Sequence, residues 1–122
     1  ITLLLALAAT PAPPHGNADA REPRVRAAAG LVRACLDAKA AQLDDRISDA
    51  ATIGKGVAEL CSAPVQDLVR VQADGRDPKD LSMIRDEWQR RALLAATERV
   101  LELRARQRST RVRDGKRPGP TT

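Results

Sequence analysis

The sequence predicts an all-α protein: a disulfide-pinned helical hairpin, a third long helix packed across it, and a disordered basic C-terminal tail. Apolar residues recur at helical spacing in three segments, and no run alternates in the way that indicates a strand. The composition includes one Trp and neither Tyr nor Phe. A small core of Ala, Leu, Val and Ile often needs a covalent staple, and two cysteines are present to supply it.

The first twenty residues have the pattern of an export signal. The sequence opens with the apolar run ITLLLALAA, and a polar stretch broken by Pro and Gly follows. Ala18-Asp19-Ala20 matches the small-x-small pattern that signal peptidase reads, and the densely charged sequence starts at Arg21. We therefore predict a secretory signal peptide over residues 1–20. An uncleaved anchor is the alternative, but the apolar run is about half the roughly 20 residues that a membrane span needs.

Two helices are expected to form the hairpin. The first apolar stripe starts at Val25, with Pro23 placed in the first turn. Ser48 is the expected N-cap of the second helix, with Asp49 in its first turn, where the helix dipole favours an acid. Pro64 removes a helical hydrogen bond and should kink or divide this second segment.

The third helix has the clearest start signal. Asp77 is a favoured cap, Pro78 suits the first helical position, and Asp80 supplies an acid in the first turn. The apolar stripe then continues past Trp88, and the helix should fray beyond about Arg108. We accordingly predict a small helical domain over residues 21–108 and a disordered basic tail over residues 109–122.

The two cysteines are expected to form a disulfide. Cys35 and Cys61 lie on the inward stripes of consecutive helices, thirteen residues to either side of Ser48. Equal distances from the turn of an antiparallel hairpin place residues at similar heights, and an oxidising compartment then favours the bond. Two free buried thiols are the alternative. A metal pair is a poorer one, because the sequence after Ala20 contains no histidine.

No residue pattern indicates catalysis. The only histidine, His15, lies in the predicted signal peptide, so the mature chain would lack the side chain best suited to proton transfer near neutral pH. We expect neither a metal nor a cofactor, and we expect that the protein is not an enzyme. Asp44, Asp45 and Asp49 are interpreted as caps of a solvated turn. The segment Gly54-Lys55-Gly56 is interpreted as a close approach to the alanine-rich face of the first helix.

Two features could bind a partner. Trp88 could anchor a partner protein, although in a core this poor in large side chains a packing role is the simpler interpretation. The basic C-terminal residues could bind a polyanion, or they could form a solvated tail. Residues 21–98 carry no net charge, whereas residues 99–122 carry +6. The candidate polyanion-binding residues are Arg104, Arg106, Arg108, Arg111, Arg113, Lys116 and Arg117.

One segment resembles a known family. It runs from Cys35 to Cys61 and contains the stretch LDDRISDAATI, residues 43–53. This arrangement resembles a Cys…LDDxxSDAxTI…Cys segment of small uncharacterised exported helical proteins of proteobacteria, a family with no assigned activity. The resemblance implies an origin in the bacterial envelope and covers 27 of the 122 residues.

The function that these observations favour is a non-enzymatic periplasmic or secreted protein that interacts with an envelope protein or polymer, or has a structural role there. The alternative is a polyanion-binding protein that acts through its C-terminal arginines on anionic lipid, an envelope polymer or nucleic acid. Export and the lack of interleaved aromatic residues argue against nucleic acid. We expect no stable membrane span.

Overall fold

The computed structural model describes the backbone of residues 16–116 and the side chains of residues 21–116. The chain forms four helices in the order α1 (Gly16–Leu43), α2 (Ala50–Leu60), α3 (Ser62–Ala73) and α4 (Pro78–Gly115). This part of the chain contains no strand, so the predicted all-α class is confirmed. The first fifteen residues of the predicted signal peptide, and residues 117–122 of the predicted tail, lie outside the described residues.

Helix α1 begins earlier than the sequence predicts. It starts at Gly16, so Pro23 lies inside the helix and not in its first turn. Pro23 is exposed. A proline inside a helix removes one backbone donor, and its ring crowds the carbonyl four residues before it.

The predicted second helix is divided in two, as the proline in that segment indicated. Helix α2 ends at Leu60, and Cys61 lies between α2 and α3, with its N–H donating to the Val57 carbonyl over 3.1 Å. Pro64 is the third residue of α3, where its missing N–H costs no helical hydrogen bond.

The cap of α2 differs by one residue from the prediction. Asp49 caps the helix by accepting a hydrogen bond from the Thr52 N–H over 3.3 Å, and Ser48 precedes the cap. A carboxylate is as good an N-cap acceptor as a hydroxyl. The Ser48 hydroxyl is instead bound to Asp45.

Helix α4 starts as predicted and ends later. Asp77 accepts a hydrogen bond from the Lys79 N–H over 3.0 Å, and Pro78 is the first helical residue. The helix continues past Arg108 to Gly115, so residues 109–115 are helical where we predicted a disordered tail. No Gly or Pro interrupts the helix between Lys79 and Asp114, so the preceding turns can extend to Gly115.

The core lies where α4 crosses the other three helices. Its largest fully buried side chains are Leu36 of α1, Val57 of α2, Cys61, Leu68 of α3 and Val100 of α4. Between them lie small residues, of which Ala40 and Ala96 are fully buried. Small side chains let the helix axes approach closely.

Helix α2 lies close to α4 at Gly54. A Cβ atom built on Gly54 would lie 2.9 Å from both the backbone N and the Cα of Thr97. The predicted close approach of this glycine therefore exists, but its partner is α4 and not the alanine-rich face of α1. Gly56 does face α1, where a Cβ would lie 3.3 Å from Cδ2 of Leu43.

None of the helices within residues 16–116 combines the length and the apolar character that a membrane span requires.

Candidate functional site

The two cysteines lie within bonding distance, as predicted. The sulfur atoms of Cys35 and Cys61 are 2.13 Å apart and the Cα atoms 5.9 Å apart. Cys35 is half-buried on α1, and Cys61 is fully buried at the junction of α2 and α3. The bond therefore links α1 to the junction between α2 and α3. An oxidising location outside the cytoplasm is compatible with this pair.

Asp45 and Asp49 of the α1–α2 turn cap backbone N–H groups, as the sequence interpretation expected, whereas Asp44, which was expected to be solvated, is buried. Asp45 accepts hydrogen bonds from the Ile47 N–H over 2.9 Å and from the Ser48 N–H over 2.8 Å. It also accepts one from the Ser48 hydroxyl. Turns of this kind satisfy backbone donors that no helix can use. Within the described residues, no cluster of three or more acidic, Cys or His side chains could hold a metal ion.

Arg104 of α4 binds two residues of the α1–α2 turn. Its Nη2 donates to Asp44 Oδ1 over 2.8 Å and to the Ser48 carbonyl over 2.6 Å. The Asp44 side chain is 3% exposed and that of Arg104 is 20% exposed. Because both charges are largely withdrawn from water and matched to each other, Arg104 holds α4 against the turn. The structure thus gives this predicted polyanion-binding residue an intramolecular partner.

The contacts of the turn change the acidity of its carboxylates. The hydrogen bond from Arg104 lowers the pKa of Asp44 below its usual value, although burial opposes the change. Hydrogen bonds from the Ser48 side chain and from two backbone N–H groups lower the pKa of Asp45 to about 2. On α4, hydrogen bonds from Arg90 and Arg91 lower the pKa of Glu87.

These shifts predict that the protein loses stability in acid. A carboxyl group with a lowered native pKa binds fewer protons when folded, so its stabilising effect is complete above the unfolded pKa near 3.8 and disappears as the pH falls toward the native value. We expect the free energy of unfolding to decrease between about pH 4 and pH 2. Urea unfolding, followed by circular dichroism at several pH values in this window, measures the decrease.

Asp45→Asn tests the assignment of this effect to the turn. Asparagine keeps a side-chain oxygen acceptor but does not titrate, so the variant should lose less stability than the wild type over the same pH window. Asp86→Asn removes an exposed α4 carboxylate and controls for the loss of one negative charge. A wild-type profile that Asp45→Asn does not flatten contradicts the assignment.

Trp88 is built into the fold. Its indole Nε1 donates to Oε1 of Gln72 on α3, and the Arg91 guanidinium lies 5.1 Å from the ring centroid. The ring is half-buried against the core and borders an apolar groove of about 140 Å³ that Val32 and Leu36 also line. This volume is below the roughly 300 Å³ at which small-molecule sites begin. These contacts favour a packing role for Trp88. Its use as an anchor for a partner protein stays a prediction.

The remaining basic residues extend beyond the bundle. Every residue from 108 to 116 is exposed, over about 13 Å of helix. We call five cations the basic end: Arg106, Arg108, Arg111, Arg113 and Lys116.

The basic end has few acidic neighbours. Arg106 lies 3.8 Å from Glu102, at the outer limit of an ion pair. Among the described residues, the other four cations have no carboxylate within 4 Å. Arg117, the last of the predicted polyanion-binding residues, lies outside the described part of the chain.

Comparison with protein-family models, with curated proteins and with solved structures found no match.

The sequence interpretation missed the contact between Arg104 and the α1–α2 turn. Asp44 and Ser48 hold Arg104 across a separation of up to sixty residues, and no local pattern connects them. One signal was present: Arg104 follows Val100 and Leu103, which both contact the core, so its side chain begins close to the packed face of α4.

Proposed function

We propose that the protein is a non-enzymatic exported binding protein of the bacterial envelope, and that the basic end of α4 contacts an anionic partner. The observation that carries this proposal is the exposure of Arg106, Arg108, Arg111, Arg113 and Lys116 on a helix that continues beyond the bundle. Asp114 is the only acid among residues 105–116, so the segment carries +4.

We infer export from two observations. Residues 1–20 have the pattern of a signal peptide, and the cysteines are within bonding distance. Cleavage after Ala20 would also explain Pro23, because the proline would then lie in the first turn of α1, where its missing N–H costs no helical hydrogen bond.

The helical form of the basic end favours binding. A disordered tail would have to order its backbone on contact with a partner, whereas a preformed helix has already done so. Five cations on one helix also present a dense positive field. The simpler interpretation is that cations near a helix C-terminus stabilise it through the helix dipole, which is worth about 0.3–1 kcal/mol each in the last turn. That effect accounts for Arg113 and Lys116 and leaves Arg106, Arg108 and Arg111 unexplained.

An anionic polymer or an anionic lipid surface fits the basic end better than single-stranded nucleic acid. Base recognition in single strands relies on aromatic stacking, and the chain has no Phe, no Tyr and one Trp, which lies eighteen residues before Arg106 and packs against the core. The cations also surround the helix and do not form one face. A contact of this kind is governed by charge density and not by shape.

We expect the protein to bind vesicles that contain an anionic lipid and to bind heparin, used here as a soluble anionic polymer. Both affinities should fall steeply with added salt. A variant with all five cations of the basic end changed to Gln should bind at least about a hundredfold more weakly, because each basic residue adds about 1 kcal/mol near an anionic surface. Vesicle co-sedimentation and isothermal titration measure the two affinities.

The matched control removes the same charge elsewhere. Five exposed cations outside the basic end are changed to Gln in a second variant: Arg26, Arg33, Lys55, Arg76 and Lys79. If net charge alone drives binding, both variants lose affinity equally and the proposed site is wrong. If the basic end is the site, the control retains most of its affinity.

A further inference from the structure

Four exposed apolar side chains are aligned along the solvent side of helix α4. Met83, Leu94, Leu101 and Val112 are 67%, 56%, 51% and 58% exposed. The spacings of eleven, seven and eleven residues approximate whole helical turns, so the four side chains lie within about 20° of one another around the helix. We call these four residues the outer stripe. The four side chains are spread over about 44 Å, on the side opposite the buried residue Ala92, and the charged residues Glu87, Arg90 and Arg108 lie between them on the same face.

The outer stripe is symmetric about its own centre. Its midpoint lies between Thr97 and Glu98, with the two leucines three and a half residues away on either side. Met83 and Val112 lie fourteen and a half residues away. When two copies of such a helix align antiparallel at this midpoint, Leu94 of each meets Leu101 of the other. Self-complementarity of this kind is what a two-fold interface requires.

The charges of α4 favour the same arrangement. Residues 78–97 carry a net charge of +1, and residues 98–116 carry +4. A parallel pair would place the two strongly basic halves side by side. The antiparallel pair separates them. It also brings Glu87, which already pairs with Arg90 and Arg91 of its own helix, level with Arg108 of the second copy, since each lies ten and a half residues from the midpoint.

We propose that the outer stripe is the interface of an antiparallel homodimer in which α4 packs along α4 of a second copy. The proposal goes beyond the binding function of the basic end and does not depend on it. Four apolar side chains from each copy form a small interface, so we expect dissociation constants on the order of micromolar. The dimer would place its two basic ends at opposite ends of the assembly.

The test is the oligomeric state of the full-length purified protein, measured by sedimentation velocity between about 1 and 500 μM, the range that brackets a micromolar dissociation constant. The wild type should shift from the monomer mass to twice that mass over this range. L94E and L101K should each raise the dissociation constant on the order of a hundredfold, since each substitution occurs twice in a symmetric interface. L31E changes a leucine on α1 that is 65% exposed, and it should leave the dissociation constant unchanged.

The double variant L94E/L101K identifies the register. In the antiparallel dimer each new acid faces a new base of the other copy, so association should recover by at least tenfold relative to either single variant. In a parallel dimer like charges would meet and association would stay weak. A wild type that is monomeric throughout, a dimer that L94E does not weaken, or a double variant that fails to recover would each overturn the proposal. Circular dichroism shows that each variant is folded.

Discussion

Removing the disulfide should lower the free energy of unfolding by about 3.5 kcal/mol, because the bond closes a loop between residues separated by 26 positions. The stabilisation comes mainly from restricting the unfolded chain. A net stability of about 5–15 kcal/mol is usual for a domain of any composition, so this protein would lose a large fraction of it. Urea unfolding of C35A/C61A, compared with the oxidised wild type, measures the loss.

Reduction of the wild type provides the control. It breaks the bond but leaves both sulfur atoms in place. The stability lost through the cross-link is thereby measured without the cavity that an alanine would leave at the fully buried Cys61. We expect the reduced wild type to be less stable than the oxidised protein by nearly as much as C35A/C61A. Unfolding curves that coincide with and without reductant would show that the disulfide contributes nothing to the free energy of unfolding.

The second large effect is expected at Gly54. An alanine there would place its Cβ 2.9 Å from the backbone N and Cα of Thr97 and closer still to the Thr97 hydroxyl oxygen. Backbone atoms cannot rotate away, so α2 and α4 must separate. We expect Gly54→Ala to lower the free energy of unfolding by roughly 3 kcal/mol, the upper end of the usual overpacking cost. Thermal and urea unfolding measure the change.

Gly30 supplies the matched control on another helix. The nearest atom to a Cβ at Gly30 is Nη2 of Arg33, 3.9 Å away at the end of a flexible side chain. Gly30→Ala should therefore stabilise the protein by up to about 1 kcal/mol, the difference in helix propensity. In G54A/T97A, the loss of the Thr97 hydroxyl relieves one contact but not the backbone contacts, so only part of the stability should return. Full recovery would mean that the helices are not in backbone contact at this point.

Local chemistry explains which elements could be predicted from the sequence. Asp77 and Pro78 form a helix start from adjacent residues, and Pro64 interrupts a segment whatever surrounds it. The pairing of Cys35 with Cys61 follows from distances along a hairpin. Each of these signals operates within one helix or across one turn, where spacing along the chain determines spacing in the structure.

The remaining features depend on which helices meet. Gly54 indicated a close approach, but it could not identify α4 as the partner. Arg104 belonged by composition to a run of arginines, and only its position opposite the α1–α2 turn gives it Asp44 as a partner. Residues 109–115 are helical although five of the seven are Ser, Thr, Val, Asp and Gly, which favour a helix only weakly. The preceding turns of α4 supply the nucleus that an isolated segment lacks.

Under the export that we propose, the position of the disulfide also has a consequence for the order in which the helices form. Both thiols precede α3 and α4, and the chain contains no third cysteine that could compete for either of them. A polypeptide delivered with its N-terminus first can therefore oxidise as soon as residue 61 has emerged. The disulfide would then cross-link α1 to the α2–α3 junction before α4 has emerged. Helix α4 would pack last, against helices that are already covalently joined.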